Sequence, residues 1–254
     1  TYAFYRGVVR RKESESLVSL GFYNGEVSAM ISIANQNLVL GKMKDVERYI
    51  LYDEKKLPQK NINCGTPDRP AGNKGSAYNV NTNALYAGRT SLTKCVKLYY
   101  ETEYDIYTSF DNDVARVRSY VGFLHNQVST LYLNEGIKVT LNSIFVWDRA
   151  ESYTSSSTDG LLTHFKNAKQ NNGIEGADLG ILLTFRDLGG GQAAGFDGLC
   201  NTKISERVAV AEVNSTVQYF PVYTWSVFIV AHEFGHLFGS QHTHACAWGP
   251  NHDR

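Results

Sequence analysis

The chain has 254 residues, enough for one large domain or two ordinary ones, and its 43% apolar and 20% charged content is that of a soluble globular protein. Lys plus Arg (25) balances Asp plus Glu (25), so no basic surplus favours nucleic acid or an electrostatic membrane anchor. No uninterrupted apolar run reaches the ~20 residues a bilayer-spanning helix needs.

The sequence opens on Thr1, which reads as a processed or trimmed start with any targeting segment lying outside it. Residues 1–57 read as β structure. Ala3–Val9 and Glu15–Leu20 have strand composition, Gly21–Gly25 supplies a hairpin turn, Glu26–Ile33 alternates at period two, and Glu47–Tyr52 adds a further strand. Such a unit has a modest core and is expected to lie against something larger. Residues 58–94 hold three of the five prolines among Asn, Gly, Ser and Lys, as a linker or crossing segment does. Within it, Asn63-Cys64-Gly65-Thr66 sets a cysteine in polar surroundings, where its sulfur serves either a disulfide or something reactive.

From Cys95 the pattern turns α/β. Val96–Tyr104 alternates like a strand. Asp111–Asn134 carries Val114, Val117, Val121, Leu124, Val128 and Leu131 at helical spacing, with Asp111 or Asn112 placed to cap it. Ile137–Val146 is the next strand. Asp159 is placed to cap a second helix through about Gln170, and Ala177–Phe185 is apolar enough for a strand covered on both faces. Gly189–Gly191 reads as a flexible loop, followed by Ala193–Cys200 and Arg207–Val213 as two short strands. No G-x-G-x-x-G or P-loop stands at any strand–helix junction, so nucleotide binding has no support.

The apolar run Tyr223–Ala231 leads into His232-Glu-Phe-Gly-His-Leu-Phe-Gly-Ser-Gln-His242. Histidines four apart share one helix face, so His232 and His236 can reach a single metal, with Glu233 beside them as general base. Gly239 can break the helix and let His242 return with a third nitrogen. Three histidines and one open position describe a catalytic zinc site, since structural zinc is usually closed by four protein ligands. His125 and His164 are expected to be structural or solvent-facing, His244 to support the site from behind or lie at the surface, and His252, close to the end, to be tag-like or disordered. Cys64, Cys95, Cys200 and Cys246 are too few for a disulfide framework and include no C-x-x-C, and Asn214-Ser-Thr216 matches an N-glycosylation acceptor.

The motif from His232 to His242 resembles the extended signature of the metzincin metalloproteases. Asp178–Thr184 and Ala194–Cys200 are similar to the central strand and the glycine-rich edge strand of the reprolysin (adamalysin-type) branch, and His242–Trp248 looks like bacterial members. The resemblance implies an α/β (α+β) metzincin-like catalytic domain over residues 95–254, with a mixed, mostly parallel sheet and an active-site helix. It implies a small antiparallel β prodomain over 1–57, and over 58–94 a linker in which Cys64 acts as a cysteine switch, its thiolate filling the open position on the metal.

The activity so implied is that of a secreted, zinc-dependent endopeptidase in zymogen form, with Zn2+ as cofactor and Glu233 as general base. Protein or peptide substrates would lie along an edge near Gly195–Leu199, and an activating protease would cut between Cys64 and Cys95, with Arg69 and Arg89 as candidate sites. The family also places a methionine turn after the third histidine. The only methionines here are Met30 and Met43, so that turn and the wall of the specificity pocket are expected beyond Arg254. A cysteine there would pair with Cys246 or Cys200. The rival reading is a catalytically silent secreted binding module on the same scaffold; a zinc hydrolase acting on a non-peptide amide is another.

Overall fold

In the computed structural model of the chain, the described residues are 2–23, 25–34, 36–43, 46–57, 63–68, 95–153, 155–213 and 224–242. The first sheet is an antiparallel meander of β1 (Tyr2–Gly7), β2 (Ser16–Tyr23), β3 (Glu26–Ile33), β4 (Gln36–Lys42) and β5 (Tyr49–Asp53), each paired with the next in the chain. The expected turn at Gly21–Gly25 is shorter than the sequence suggests, because Gly21, Phe22 and Tyr23 remain paired with Ser28, Val27 and Glu26 of β3. β4 went unpredicted: its polar start, Gln36-Asn37, and its Gly41 hide a strand that pairing on both sides creates.

The second sheet holds six strands in the order β6-β10-β11-β9-β7-β8. They are β6 (Asn63–Cys64), β7 (Val96–Thr102), β8 (Val139–Val146), β9 (Leu179–Thr184), β10 (Gly190–Ala193) and β11 (Val208–Glu212). All neighbours run parallel except β10 and β11, so the sheet is mixed and mostly parallel. The helices are α1 (Tyr104–Ser109), α2 (Val114–Asn134), α3 (Thr158–Asn172) and α4 (Thr224–Leu237).

Alternation along the strands sorts the core into two layers. Leu98, Tyr100, Ile181, Leu183, Ala209 and Ala211 pack with α2 and α4, whereas Tyr99, Leu182, Val208 and Val210 pack under α3. β9 is buried at all six positions, as its composition predicts for a central strand. Beneath α3, buried Glu101 pairs with Lys169 and accepts hydrogen bonds from Trp147 Nε1 and Tyr153 OH, each at 2.7 Å.

Four local expectations are corrected. The cap of α2 is Asp113, whose Oδ1 accepts from Ala115 N (2.8 Å) and Arg116 N (3.2 Å). Asp111 and Asn112 instead take left-handed φ values of 57° and 59° that separate α1 from α2. α3 is capped by Ser157 rather than Asp159, which already lies inside the helix. Gly189–Gly191 is no free loop, since Gly190 and Gly191 belong to β10, and Ala194–Cys200 falls outside any strand.

The meander lies on α2. Phe4 meets Phe123 edge-on at 6.0 Å, Asn126 Nδ2 donates to Ser19 Oγ (2.7 Å), and Arg6 Nε donates to Thr130 Oγ1 (3.0 Å). Gly21 permits this approach, because a Cβ there would fall 2.5 Å from the Phe123 ring. The modest core of the first sheet is thus completed by a face of the larger unit.

Candidate metal centre

α4 is a helix by burial more than by polarity. Val227, Ile229, Val230, Phe234 and Leu237 are at most 2% exposed, and they fasten the helix under the sheet. The four-residue spacing then brings His232 Nε2 and His236 Nε2 to 3.0 Å. Glu233, between them in sequence, is fully buried, with its carboxyl against Gly191 and near Cys64 Sγ.

The helix ends in a Schellman turn. Ser240 N bonds to Gly235 O (2.9 Å), Gly239 N bonds to His236 O (2.8 Å), and Gly239 has φ of 110°. This reversal does two things at once. It returns His242, so that its ring centroid lies 5.3 Å from that of His232 and 4.7 Å from that of His236. It also sets the Ser240 carbonyl 2.7 Å from His236 Nδ1, which fixes Nδ1–H as donor and leaves Nε2 as the lone-pair nitrogen. Residues 194–200, expected as an edge strand, form a loop that finishes the helix. Gly198 N and Leu199 N donate to Leu237 O, and the Phe196 ring stands edge-on to His236 at 5.3 Å.

The fourth group arrives from β6. Cys64 lies opposite Gly191 in a parallel pairing, and Gly65 N continues it to Gly191 O (2.9 Å). Cys64 Sγ sits 3.4 Å from His236 Nε2 and 3.6 Å from Glu233 Oε1. One ligand atom each of Cys64, His232, His236 and His242 falls within 4.8 Å of every other. Tetrahedral zinc with bonds of 2.0–2.3 Å needs ligand–ligand edges of about 3.3–3.7 Å. The close contacts of 3.0 and 3.4 Å approach that size, and the donor set of imidazoles and one thiol is the borderline-soft set that zinc takes.

Electrostatics agree. Burial, then the neighbouring imidazoles, lowers His232 to about 4, and burial lowers His236, so both rings are neutral and free to ligate near pH 7. Burial likewise raises the Cys64 thiol and the Glu233 carboxyl. A cation opposes that rise for the sulfur, because coordination deprotonates a thiol outright. Beside the cluster opens a cavity of about 900 Å³ bordered by Tyr132, Phe228, His232, His236, Gln241 and His242.

Every site residue predicted from sequence, Cys64, His232, Glu233, His236 and His242, therefore meets in one place. Thr66, Asp68, Gly191 and Ser240 also belong to it, and sequence reasoning missed them. Thr66 Oγ1 accepts from Ala193 N (2.8 Å) and donates to Glu233 Oε2 (3.4 Å); Asp68 Oδ1 lies 2.9 Å from His242 Nδ1. Nearness in the chain to Cys64 or His236 could have pointed to Thr66, Asp68 and Ser240, whereas nothing local marks Gly191. Of the other histidines, His125 is buried against Tyr100 OH (3.2 Å) and His164 lies on α3, away from the cluster. His244, His252, Arg69, Arg89, Asn214 and Cys246 lie outside the described residues, and Cys64, Cys95 and Cys200 are free thiols.

The chain is similar to known metallopeptidases. It is 25% identical over 178 residues to the disintegrin and metalloproteinase domain-containing protein adm-2 of Caenorhabditis elegans, a match over 68% of this chain and 18% of that protein. The chain thus spans less than a fifth of that relative's length. Metalloproteinase-II from Bacteroides fragilis superposes with a TM-score of 0.49 and 13% identity, over 95% of this chain and 77% of that one. The family model described as metallo-peptidase family M12, of the reprolysin type, matches residues 92–252, well over half of the chain. With the motif from His232 to His242 inside that span, the chain belongs to the reprolysin-like metzincins of metallo-peptidase family M12.

Proposed function

We propose that the chain is a zinc-dependent endopeptidase in latent form, in which residues 1–57 act as prodomain, 58–94 carry the switch, and 95–254 form the catalytic unit. The observation that carries this reading is the convergence of Cys64 with His232, His236 and His242 around one point, with buried Glu233 beside it. The three imidazoles would hold zinc, and Cys64 would take the remaining position. Bound zinc supplies Lewis acidity, which polarises a carbonyl and acidifies a water.

Glu233 then acts as general base, taking a proton from the attacking water and returning it to the leaving amine. Its burial suits the task, since a raised carboxyl pKa brings the base nearer to neutral pH. β10 supplies the docking edge. With β6 gone, Gly190–Ala193 would present unpaired backbone groups to an extended peptide, as strand addition requires. The edge is β10 rather than the Gly195–Leu199 stretch expected from sequence, because residues 194–200 are committed to the end of α4. Cys64 to Thr66 thus obstruct three functions at once: the metal position, the base and the docking edge.

No described helix is long and apolar enough to cross a membrane. Secretion and activation by another protease, cutting between Cys64 and Cys95, complete the proposal.

The test is peptide hydrolysis by the intact chain, by Cys64→Ala and by Cys64→Ala/Glu233→Ala, each with and without a zinc chelator. Chelator-sensitive turnover is expected only in Cys64→Ala. If that variant stays as silent as the native chain while binding zinc, the catalytically silent module is the better reading.

A further inference from the structure

We infer that Asp68 is a positioning residue for His242, so that the segment carrying Cys64 grips the metal site at two ends. The inference rests on the zinc reading of the cluster. Asp68 Oδ1 accepts from His242 N at 3.2 Å and from Nδ1 at 2.9 Å. An Nδ1–H held this way fixes the tautomer and the ring plane, and turns Nε2 toward His232 and His236.

The other two imidazoles have local support. His232 and His236 are set by one turn of α4, and His236 is oriented further by Ser240 O. His242 lies beyond the turn at Gly239, on chain with no helical or strand pairing of its own. Asp68 orients it from 174 residues away in sequence.

Asp68 can supply it because its own position is firm. β6 pairs with β10, Gly65 N bonds to Gly191 O, and the buried Thr66 hydroxyl bridges Ala193 N and Glu233. Pro67 then restricts φ between Thr66 and Asp68, which narrows the directions in which the carboxylate can point. Zinc affinity in the intact chain therefore includes a contribution from a residue that is not a ligand. That contribution leaves together with Cys64 when the segment is removed.

The experiment titrates the metal-free full chain with zinc against a chromogenic chelator, for the native protein, Asp68→Ala, Asp68→Asn and Cys64→Ala. Thermal unfolding of each metal-free chain is measured in parallel. Loss of an outer partner of a ligating histidine costs roughly 10–100-fold in metal affinity, which is the loss expected for Asp68→Ala. Asp68→Asn should stay within about threefold of native, because the amide oxygen still accepts both bonds. The metal-free melting temperatures should coincide.

Zinc binding by Asp68→Ala within twofold of native overturns the inference. So do equal losses in the alanine and asparagine variants, which would make the carboxylate a charge and not an orienting acceptor, or a fall in metal-free melting temperature that matches the loss. A native chain that binds no zinc fails the endopeptidase reading itself. Tight native binding, weakened in Cys64→Ala but unmoved in Asp68→Ala, fails only this inference.

Discussion

Gly191→Ala tests the arrangement at its tightest point. A Cβ at residue 191 would lie 2.7 Å from both Cγ and Oε1 of Glu233, some 0.7 Å inside the 3.4 Å at which ordinary contact begins. Neither side yields easily. Gly191 is held by β11 on one side and β6 on the other, and Glu233 is fully buried on a helix packed into the core, with its carboxyl already engaged by Cys64 and Thr66. Overpacking of this kind costs about 1–3 kcal/mol. At this chain length each kcal/mol lowers Tm by roughly 2–4 °C, so a fall of about 2–12 °C is expected by differential scanning fluorimetry.

The same displacement moves Glu233, the proposed base. Misplacement of a reacting group by about 1 Å costs on the order of 100-fold, so in the Cys64→Ala background kcat/KM should fall by about that factor with zinc still bound. Tm within one degree of native together with kcat/KM within twofold would show that the Glu233 carboxylate does not rest against Gly191, and the mechanistic placement of Glu233 would fall with it.

Two further substitutions probe the scaffold. Lys169→Met removes one partner of a buried pair and leaves Glu101, which has no exposed surface, without its cation; a loss of about 3–5 kcal/mol is expected in urea unfolding, and a loss below 1 kcal/mol would refute the pairing. His125 is lowered to about 3, by burial first and by the Arg6 charge second. Between that value and the ordinary imidazole value of about 6.5 the unfolded chain binds a proton that the folded chain does not, so this group's contribution is complete above pH 6.5 and is lost as pH falls toward 3, by roughly a kcal/mol per pH unit. His125→Gln should flatten the acid side of the stability profile of the metal-free chain. A profile that keeps the native slope would assign the acid lability to other groups.

The most legible parts of the sequence were those whose physics is local. Leu179–Thr184 reads as a doubly covered strand because nearly all of its positions are apolar, and Val114–Asn134 reads as a helix from its apolar spacing alone. The helix boundaries were less legible. Asp111, Asn112 and Asp113 are chemically alike as caps, and only the left-handed turn after α1 decides that Asp113 serves. The glycine run at 189–191 suggested freedom by composition, yet Gly190 and Gly191 are strand, paired with Asn63 and Cys64, and the bare Cα of Gly191 leaves room for the Glu233 side chain. Close approach is a property of what packs there, and a run of glycines does not record it.

The site divides along the same line. His232 and His236 meet because the α-helix repeats every 3.6 residues, and the glycine that lets His242 return is visible two residues after Leu237. These features could be read directly from the chain. That Cys64 reaches the same point required β6 to pair in parallel with β10 across more than a hundred residues, and no local pattern encodes that register. The roles of Thr66 and Asp68 depend on the same pairing, since each bonds to a group far away in sequence. Sequence by itself determined the spacing of the three histidines and of Glu233 beside them. Only the tertiary structure decided what stands against them, because long-range pairing is set by burial and backbone hydrogen bonding summed over a whole sheet edge.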